Sequence, residues 1–582
     1  MFTFANPLGL LALLGIPAVL AIHFLQRKAV ELPVSTLFLL ERTQRDAASG
    51  RRLDRIIPSV PLWMQLMAVL LLAWFLAEPR FQKSGSVQRI AVVLDSSASM
   101  GVFKNEALTR LAAELPTLQG PASTVELTVM ESAPDRPRLY AGSSLDDLKI
   151  ALEKWQPLDG LNDPSQALRL GRSLVSREGT VIYLTDTPAE SLPFDAKLIA
   201  VGDAVENVGF TGVTFATEEG ALVWRALVRN YGKTDADRTW SVMTSSGNTE
   251  PRSLHLAAGS LVTLQAAFPK DAKNVRIVLS GDRFTLDDTL PLVAPAPKTL
   301  ALFTATSPAF ADLTTKLLRS LDAAVPTNDA TTADLSISSY DPLDPVLPPG
   351  NSIVFVEDST RTGAYLKGGI VAEANPLMDG LNWQSLLVRE TIELDRQPAD
   401  TVLLWQEKRP LIFLREHEGK RQLCFNFDLR LSNAGNQPAF IVLLHRFAEA
   451  IRDAKVAPTS AILETDQPIK VTAAPNIPLK ISATDLGGKA VPVTSVSNNA
   501  PLVPCFLTVD QNETRLLDAA VFFADTREAD FSACGKSDVT GAANQSTIER
   551  HTKPDPFWRV GILALLAALL VSWKFTTQRS LA

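Results

Sequence analysis

Three long apolar runs stand apart from an otherwise alternating pattern of hydrophobic and polar positions. Residues 7–25, PLGLLALLGIPAVLAIHFL, carry no charge unless His23 is protonated. At about 1.5 Å per residue the run spans roughly 28 Å, the thickness of a bilayer core. The second run, 60–78, reads VPLWMQLMAVLLLAWFLAE, with Trp63 and Trp74 suited to the interfaces. The third, 557–573, reads FWRVGILALLAALLVSW, with Arg559 near one end where it can snorkel outward. These patterns predict three transmembrane helices. A cleaved signal peptide is disfavoured for the first: no basic residue precedes it, no small-x-small site follows, and Arg27-Lys28 come directly after it.

Between the first two runs, the loop 26–59 holds Arg27, Lys28, Arg42, Arg45, Arg51, Arg52 and Arg55. Positive charge beside apolar spans marks the cytoplasmic side. The expected topology then has the N-terminus outside, residues 80–556 extracytoplasmic, and the tail with Lys574 and Arg579 inside. Topogenic charge is sufficient to explain the loop, although LPVSTLFLLERTQRD within it also suits a short helix on a membrane or partner.

The region between the second and third runs divides by periodicity into four. From 87 to 204, strand-like runs (RIAVVLDSS, STVELTVMES, GTVIYLTDT, KLIAVGD) alternate with helical ones (EALTRLAAELPTL, LDDLKIALEKW, PSQALRLGRSLVSR). That alternation predicts a doubly wound, mostly parallel α/β sheet. From 207 to 294 helical periodicity disappears, and short strands between Gly, Asn and Asp turns predict a β-sandwich of immunoglobulin-like type. Residues 297–455 again mix strands with helices as a second α/β domain. Residues 458–535 return to short strands as a second β-domain, and 536–556 form a polar linker. The fold class is thus membrane-anchored multidomain α/β plus β.

Composition narrows the function. The 582 residues are 46% hydrophobic and 20% charged, too apolar for a disordered chain and too polar for a polytopic transporter. With 56 basic and 63 acidic residues the formal charge is −7, so nucleic acid is not an expected partner. Cys424, Cys505 and Cys534 form no CxxC pair; a disulfide between Cys505 and Cys534 and a pair of free thiols are both open. The five histidines (His23, His255, His417, His445, His551) show no HExxH spacing.

The candidate chemistry lies at Asp95-Ser96-Ser97-Ala98-Ser99, where the first α/β strand ends and a helix begins. Ligands in open α/β sheets bind at the carboxyl ends of the strands. A carboxylate and two hydroxyls at alternate positions there suit a hard cation, Mg2+ or Mn2+, which prefers oxygen ligands and keeps a position for an external one. A serine hydrolase would need a histidine base, and residues 24–254 contain none. GxSxG and Walker A motifs are also missing.

D-x-S-x-S after a strand resembles the first element of the metal-ion-dependent adhesion site (MIDAS) of von Willebrand factor A domains. The resemblance implies that Asp186, ending VIYLTD, is the third element. Counting back from Ala167-Leu168 puts Asn162 where the family has a Thr; its carbonyl can ligate, and Asp163 is a neighbouring alternative. The implied site is therefore Asp95, Ser97, Ser99, Asn162 and Asp186, holding Mg2+ (or Mn2+ or Ca2+), whose shell a protein partner completes with an acidic side chain. Residues 297–455 resemble the class I glutamine-amidotransferase fold, whose catalysis needs a Cys on a strand–helix elbow and a downstream His. Here Cys424 reads as a buried strand residue in RQLCFNFDL and His445 lies on an apolar helix, so a degenerate, non-catalytic domain is expected.

Residues 1–80 resemble the double-transmembrane domain that begins Bat-type aerotolerance regulators. The matching features are F-x-x-P-L-G-L-L-A-L at Phe4–Leu13, P-V-S-T-L-F-L-L at Pro33–Leu40, and a second run ending A-E-P-R. This likeness implies a bacterial inner-membrane scaffold or regulator, not an enzyme, that acts with related von Willebrand factor A membrane proteins and a MoxR-type AAA+ ATPase. Two other functions compete: a membrane-tethered hydrolase or amidotransferase using residues 297–455, and a structural envelope protein without metal.

Overall fold

The computed structural model describes residues 2–25, 59–120, 122–134, 136–176, 178–340, 346–358, 363–493, 498–538 and 551–580. The chain forms two compact units, Met1–Ala204 with Phe531–Ala582, and Val205–Asp530.

In the first unit, the first apolar run is not one α-helix as expected. It is a 3-10 helix, Pro7–Leu14, followed by α1, Gly15–Leu25. Pro17 explains the break: it has no N–H for the carbonyl of Leu13, and its ring crowds that position in an α-helix. Gly9 is needed here for close approach, since a Cβ would lie 2.1 Å from the backbone of Leu76. Among the described residues two helices are long and apolar enough to cross a membrane, α2 (Val60–Ala77) and the helix Trp558–Ser580. Pro61 suits the first turn of α2, and Glu78 in the left-handed region (φ 48°) followed by Pro79 ends it. The basic loop expected at 26–59, with its P-V-S-T-L-F-L-L segment, lies outside the described residues but for Ser59.

Three short strands join where these elements end. β1 (Phe2–Phe4) pairs antiparallel with β2 (Pro79–Gln82), which pairs antiparallel with Thr552–Pro554. The start of the chain, the exit of α2 and the approach to the last helix therefore meet in one small sheet.

The α/β portion uses β3 (Val87–Leu94), β4 (Thr124–Glu131), β5 (Tyr140–Gly142), β6 (Thr180–Thr185) and β7 (Ala196–Val201). The strand order is 536–538, β7, β6, β3, β4, β5, parallel from β7 to β4 and antiparallel at both edges. Helices α3 (Met100–Gln119), α4 (Leu145–Glu153) and α5 (Ser165–Val175) connect the strands. All residues of β3 from Ile90 to Leu94 are fully buried, as a central strand covered on both faces requires. Ala91 and Val93 pack with Leu168 and Val175 of α5. Leu94 stands opposite Leu184, so the chain leaves β3 and β6 at the same edge.

The second β-domain is expected to end at 535 and a linker to run from 536 to 556; residues 539–550 of it lie outside the described residues, and the part before them sits differently. Residues 531–538 belong to this first unit: Phe531 packs edge-on against Phe103 of α3, and Lys536–Asp538 pairs with Ile199–Val201. An aromatic ring with a partner and an open sheet edge hold a segment that composition alone marks as polar.

The second unit begins with a β-sandwich. Val208–Glu218, Ala221–Asn230 and Leu261–Ala267 form one sheet; Ala236–Thr244, Gly247–Asn248, Arg252–Leu256, Asn274–Leu279 and Thr289–Val293 form the other. Trp224 and Trp240 meet edge-on between them at 6.0 Å. An eight-stranded mixed sheet follows, with Leu300–Ala305, Leu335–Tyr340, Ser352–Val356 and Lys420–Phe425 parallel at its centre. Its core gathers Phe355, Phe425 and Phe440. A five-stranded sheet, 459–522, completes the unit, and its Phe522 joins the sandwich core.

Candidate functional site

Asp95 leaves the end of β3 with its N–H donating to the carbonyl of Leu184 (2.9 Å), which locks it to the neighbouring strand. Its carboxylate is well supplied with donors. Oδ2 accepts the hydroxyls of Tyr183 (2.8 Å) and Thr185 (2.6 Å), and Oδ1 accepts the N–H of Ser97 (3.1 Å) and the hydroxyl of Ser132 (3.5 Å). The Ser97 and Ser99 hydroxyls lie 3.3 Å apart. The loop itself is fixed by Asp159, whose N–H donates to the Ser96 carbonyl (2.9 Å) and whose carbonyl accepts the Ala98 N–H (2.8 Å). Arg136 holds the Asp159 side chain (2.6 Å) and reaches Glu131 (3.5 Å).

Asp186 lies at the end of the neighbouring strand β6 and is 3% exposed. Its Oδ1 accepts the Thr187 hydroxyl (3.0 Å), whereas Oδ2 is buried without a hydrogen-bond partner. Burial pushes its carboxyl above the usual range, and the Asp95 charge adds to this; the Ser99 and Thr187 hydroxyls and the Cys534 thiol oppose the shift without cancelling it. Asn162 donates through Nδ2 to the Ser96 hydroxyl (3.2 Å) and the Gly160 carbonyl (3.4 Å), and its Oδ1 is likewise buried and unpartnered. Asp163, the alternative ligand, is instead committed to α5: its Oδ1 accepts the N–H of Ser165 (2.9 Å).

The residues singled out in the sequence thus meet on one rim, through two adjacent loops and the approach to α5. Their states differ. The oxygens of Asp95 are taken by protein donors, while Asn162 Oδ1 and Asp186 Oδ2 have no donor. Buried acceptors are nearly always satisfied, so these two oxygens have capacity left for a ligand, and their oxygen chemistry fits a hard cation. Among the described residues no group of three or more His, Cys, Asp or Glu gathers as a metal site; this rim offers the Asp95 and Asp186 carboxylates with hydroxyl and amide oxygens.

Sequence reasoning missed Tyr183, Thr185, Ser132, Asp159 and Cys534. Tyr183 and Thr185 were within reach: polar atoms two apart at the end of an apolar strand share one face. The others arrive from distant segments. The Gly535 N–H donates to the carbonyl of Asp186 (2.9 Å), which brings Cys534 beside the carboxylate. Lys536 pairs with Glu106 and Asp203, each at 3.0 Å.

In the second unit, Cys424 sits mid-strand among Val354, Val356 and Phe413, and burial pushes its thiol up to about 12. A thiol in that state offers no thiolate at neutral pH. His445 lies on the helix Pro438–Ala454, half exposed, 3.8 Å from Glu449. All three cysteines are free thiols.

Residues 1–79 match the aerotolerance regulator N-terminal family (BatA). With the two apolar helices, this match marks the chain as a membrane protein related, over that segment, to the aerotolerance regulators. Residues 208–291, the span of the sandwich, match a domain of unknown function, DUF7407. No curated protein matches. Among solved structures, a β-glucosidase from Erythrobacter marinus is 11% identical with a TM-score of 0.12, over 41% of this chain and 53% of that one. A likeness that slight has no bearing on fold or activity.

Proposed function

We propose that this chain is a non-enzymatic membrane scaffold of the Bat type, whose first α/β domain holds a divalent cation and docks a protein partner through it. The observation that carries the reading is the pair of buried, unpartnered oxygens, Asn162 Oδ1 and Asp186 Oδ2, on residues that meet the Asp95–Ser99 loop at Ser96 and at Ser99. Bound Mg2+, Mn2+ or Ca2+ would supply positive charge for a partner's carboxylate. The chain's own residues do the rest. Ser97, Ser99, Asn162 and Asp186 provide oxygens, and Asp95, held by Tyr183, Thr185 and Ser132, fixes the loop and adds negative charge. The order of elements around the rim supports a von Willebrand factor A-type domain, and residues 297–455 act as a degenerate amidotransferase-like module.

The joining of β1, β2 and Thr552–Pro554 supports a topology in which the N-terminus and residues 80–556 share the extracytoplasmic side of a bacterial inner membrane. The basic loop 26–59 is then cytoplasmic, where a MoxR-type ATPase could reach it, and related von Willebrand factor A membrane proteins are partner candidates. Affinity isolation of the full chain from membranes tests this reading. Partner recovery is expected in magnesium and lost in chelator or in Asp95→Ala; equal recovery in all three would reject cation-mediated docking.

A further inference from the structure

The α/β sheet of the first unit has an edge opposite the rim that the proposed function does not use. β3, β6 and β7 run parallel, so their amino ends lie together there. The membrane helices join the sheet at the same edge. Only β2 and one turn separate Ala77 of α2 from Val87 at the start of β3. On the approach to the last helix, Nε2 of His551 lies 2.7 Å from Oε1 of Gln88, also at the start of β3. The amino edge is thus the one nearest the bilayer that these helices enter.

Phe194 stands at this edge, in the turn that leads into β7. Its neighbours Leu192 and Ala196 pack against the α/β core, whereas Phe194 is 41% exposed. Phe194 and Asp195 both hold left-handed backbone (φ 61° and 55°), a conformation unusual for Phe. The Arg172 guanidinium of α5 fixes the turn: it donates to the carbonyls of Phe194 (2.9 Å) and Asp195 (3.0 Å) and to those of Ser176 (3.2 Å) and Gly179 (2.9 Å). Strained backbone held this firmly under an outward-facing ring points to a use beyond packing. Leu174, in the last turn of α5, is 39% exposed, and Val87 and Leu145 are exposed at the same edge.

We propose that this edge rests on the bilayer, with Phe194 and Leu174 inserted where headgroups meet acyl chains. Apolar side chains gain by leaving water at that depth. Lipid is the occupant because the edge continues, within one compact unit, from the helices that enter the membrane. Charges of both signs, Arg172, Glu178, Asp195 and Lys197, lie on the segments that meet at the Phe194 turn, so the contact does not depend on anionic headgroups. Contact at the amino edge turns the rim of Asp95 and Asp186 away from the membrane, toward a partner.

Full-length protein in phosphatidylcholine nanodiscs tests the proposal, with a nitrobenzoxadiazole probe on Phe194→Cys in a Cys534→Ser background, where Cys424 and Cys505 are buried. Acyl chains carrying a nitroxide near the headgroup are expected to quench this probe at least twofold more than the same probe on Leu161→Cys, an exposed position beside the rim. Leu174→Cys carries the same expectation and keeps the test decisive if the Phe194 variant does not fold. Equal quenching at the two edges would overturn the proposal. So would probes at Phe194→Cys and Leu174→Cys that emit as in water, the result expected if this edge serves a protein partner instead. Replacing a third of the lipid by phosphatidylglycerol is expected to leave quenching unchanged; quenching seen only with that lipid would overturn apolar insertion.

Discussion

Asp95 and Asp186 end adjacent strands, yet their neighbours give them different chemistry. Asp95 accepts hydrogen bonds from hydroxyls and a backbone N–H on both of its oxygens. Asp186 has the Thr187 hydroxyl on one oxygen and no hydrogen-bond partner on the other, so burial dominates. The same logic acts in the sandwich. Asp288 is 5% exposed; burial and the neighbouring Asp282 charge push it up to about 7, against the Asp282 N–H and Arg238. Folded Asp288 therefore holds its proton more tightly than the unfolded chain does. Its contribution favours folding below the ordinary carboxylate range and is lost as pH rises from about 4 to about 7. Asp288→Asn should flatten the decline in unfolding midpoint across that window and raise the midpoint at pH 8 by a few degrees. Parallel melting curves for the two proteins would refute it. Asp95, Ser97, Ser99 and Asp186 were legible in sequence because each lies within a few residues of a strand end. Ser132, Asp159 and Cys534 were not, because only the tertiary fold brings them to the rim.

At the scale of elements, hydrophobic period identified the alternation of strands and helices but not what Pro17 does to the first apolar run. Nor could it place the segment 531–538, which it divided between the end of the second β-domain and the start of a linker. That segment is held by the buried Phe531 ring, by pairing along β7, and by the Lys536 ion pairs. Burial of a Phe side chain contributes roughly 1.5–3 kcal/mol, well above an exposed ion pair. Phe531→Ala should therefore loosen the segment more than Lys536→Ala. The readout is labelling of Cys534 by a water-soluble maleimide, with Cys424 and Cys505 fully buried. At least tenfold faster labelling is expected in Phe531→Ala, and less than threefold in Lys536→Ala. The reverse order would mean that charge, not packing, fixes this segment.

At the scale of the molecule, the chain combines a Bat-type N-terminal segment, two apolar helices and two compact units of mixed sheets. Two of the three apolar runs expected to span a membrane form helices long and apolar enough to do so, because bilayer length leaves a direct mark on sequence. Whether the rim holds a cation depends on a few oxygens left without donors, which no sequence pattern records. Calorimetric titration of the full-length protein with Mn2+ tests that claim most directly. One ion bound per chain is predicted, with affinity at least tenfold weaker in Asp186→Asn and in Ser97→Ala combined with Ser99→Ala. No binding by the native protein, or equal binding by all three, would contradict it.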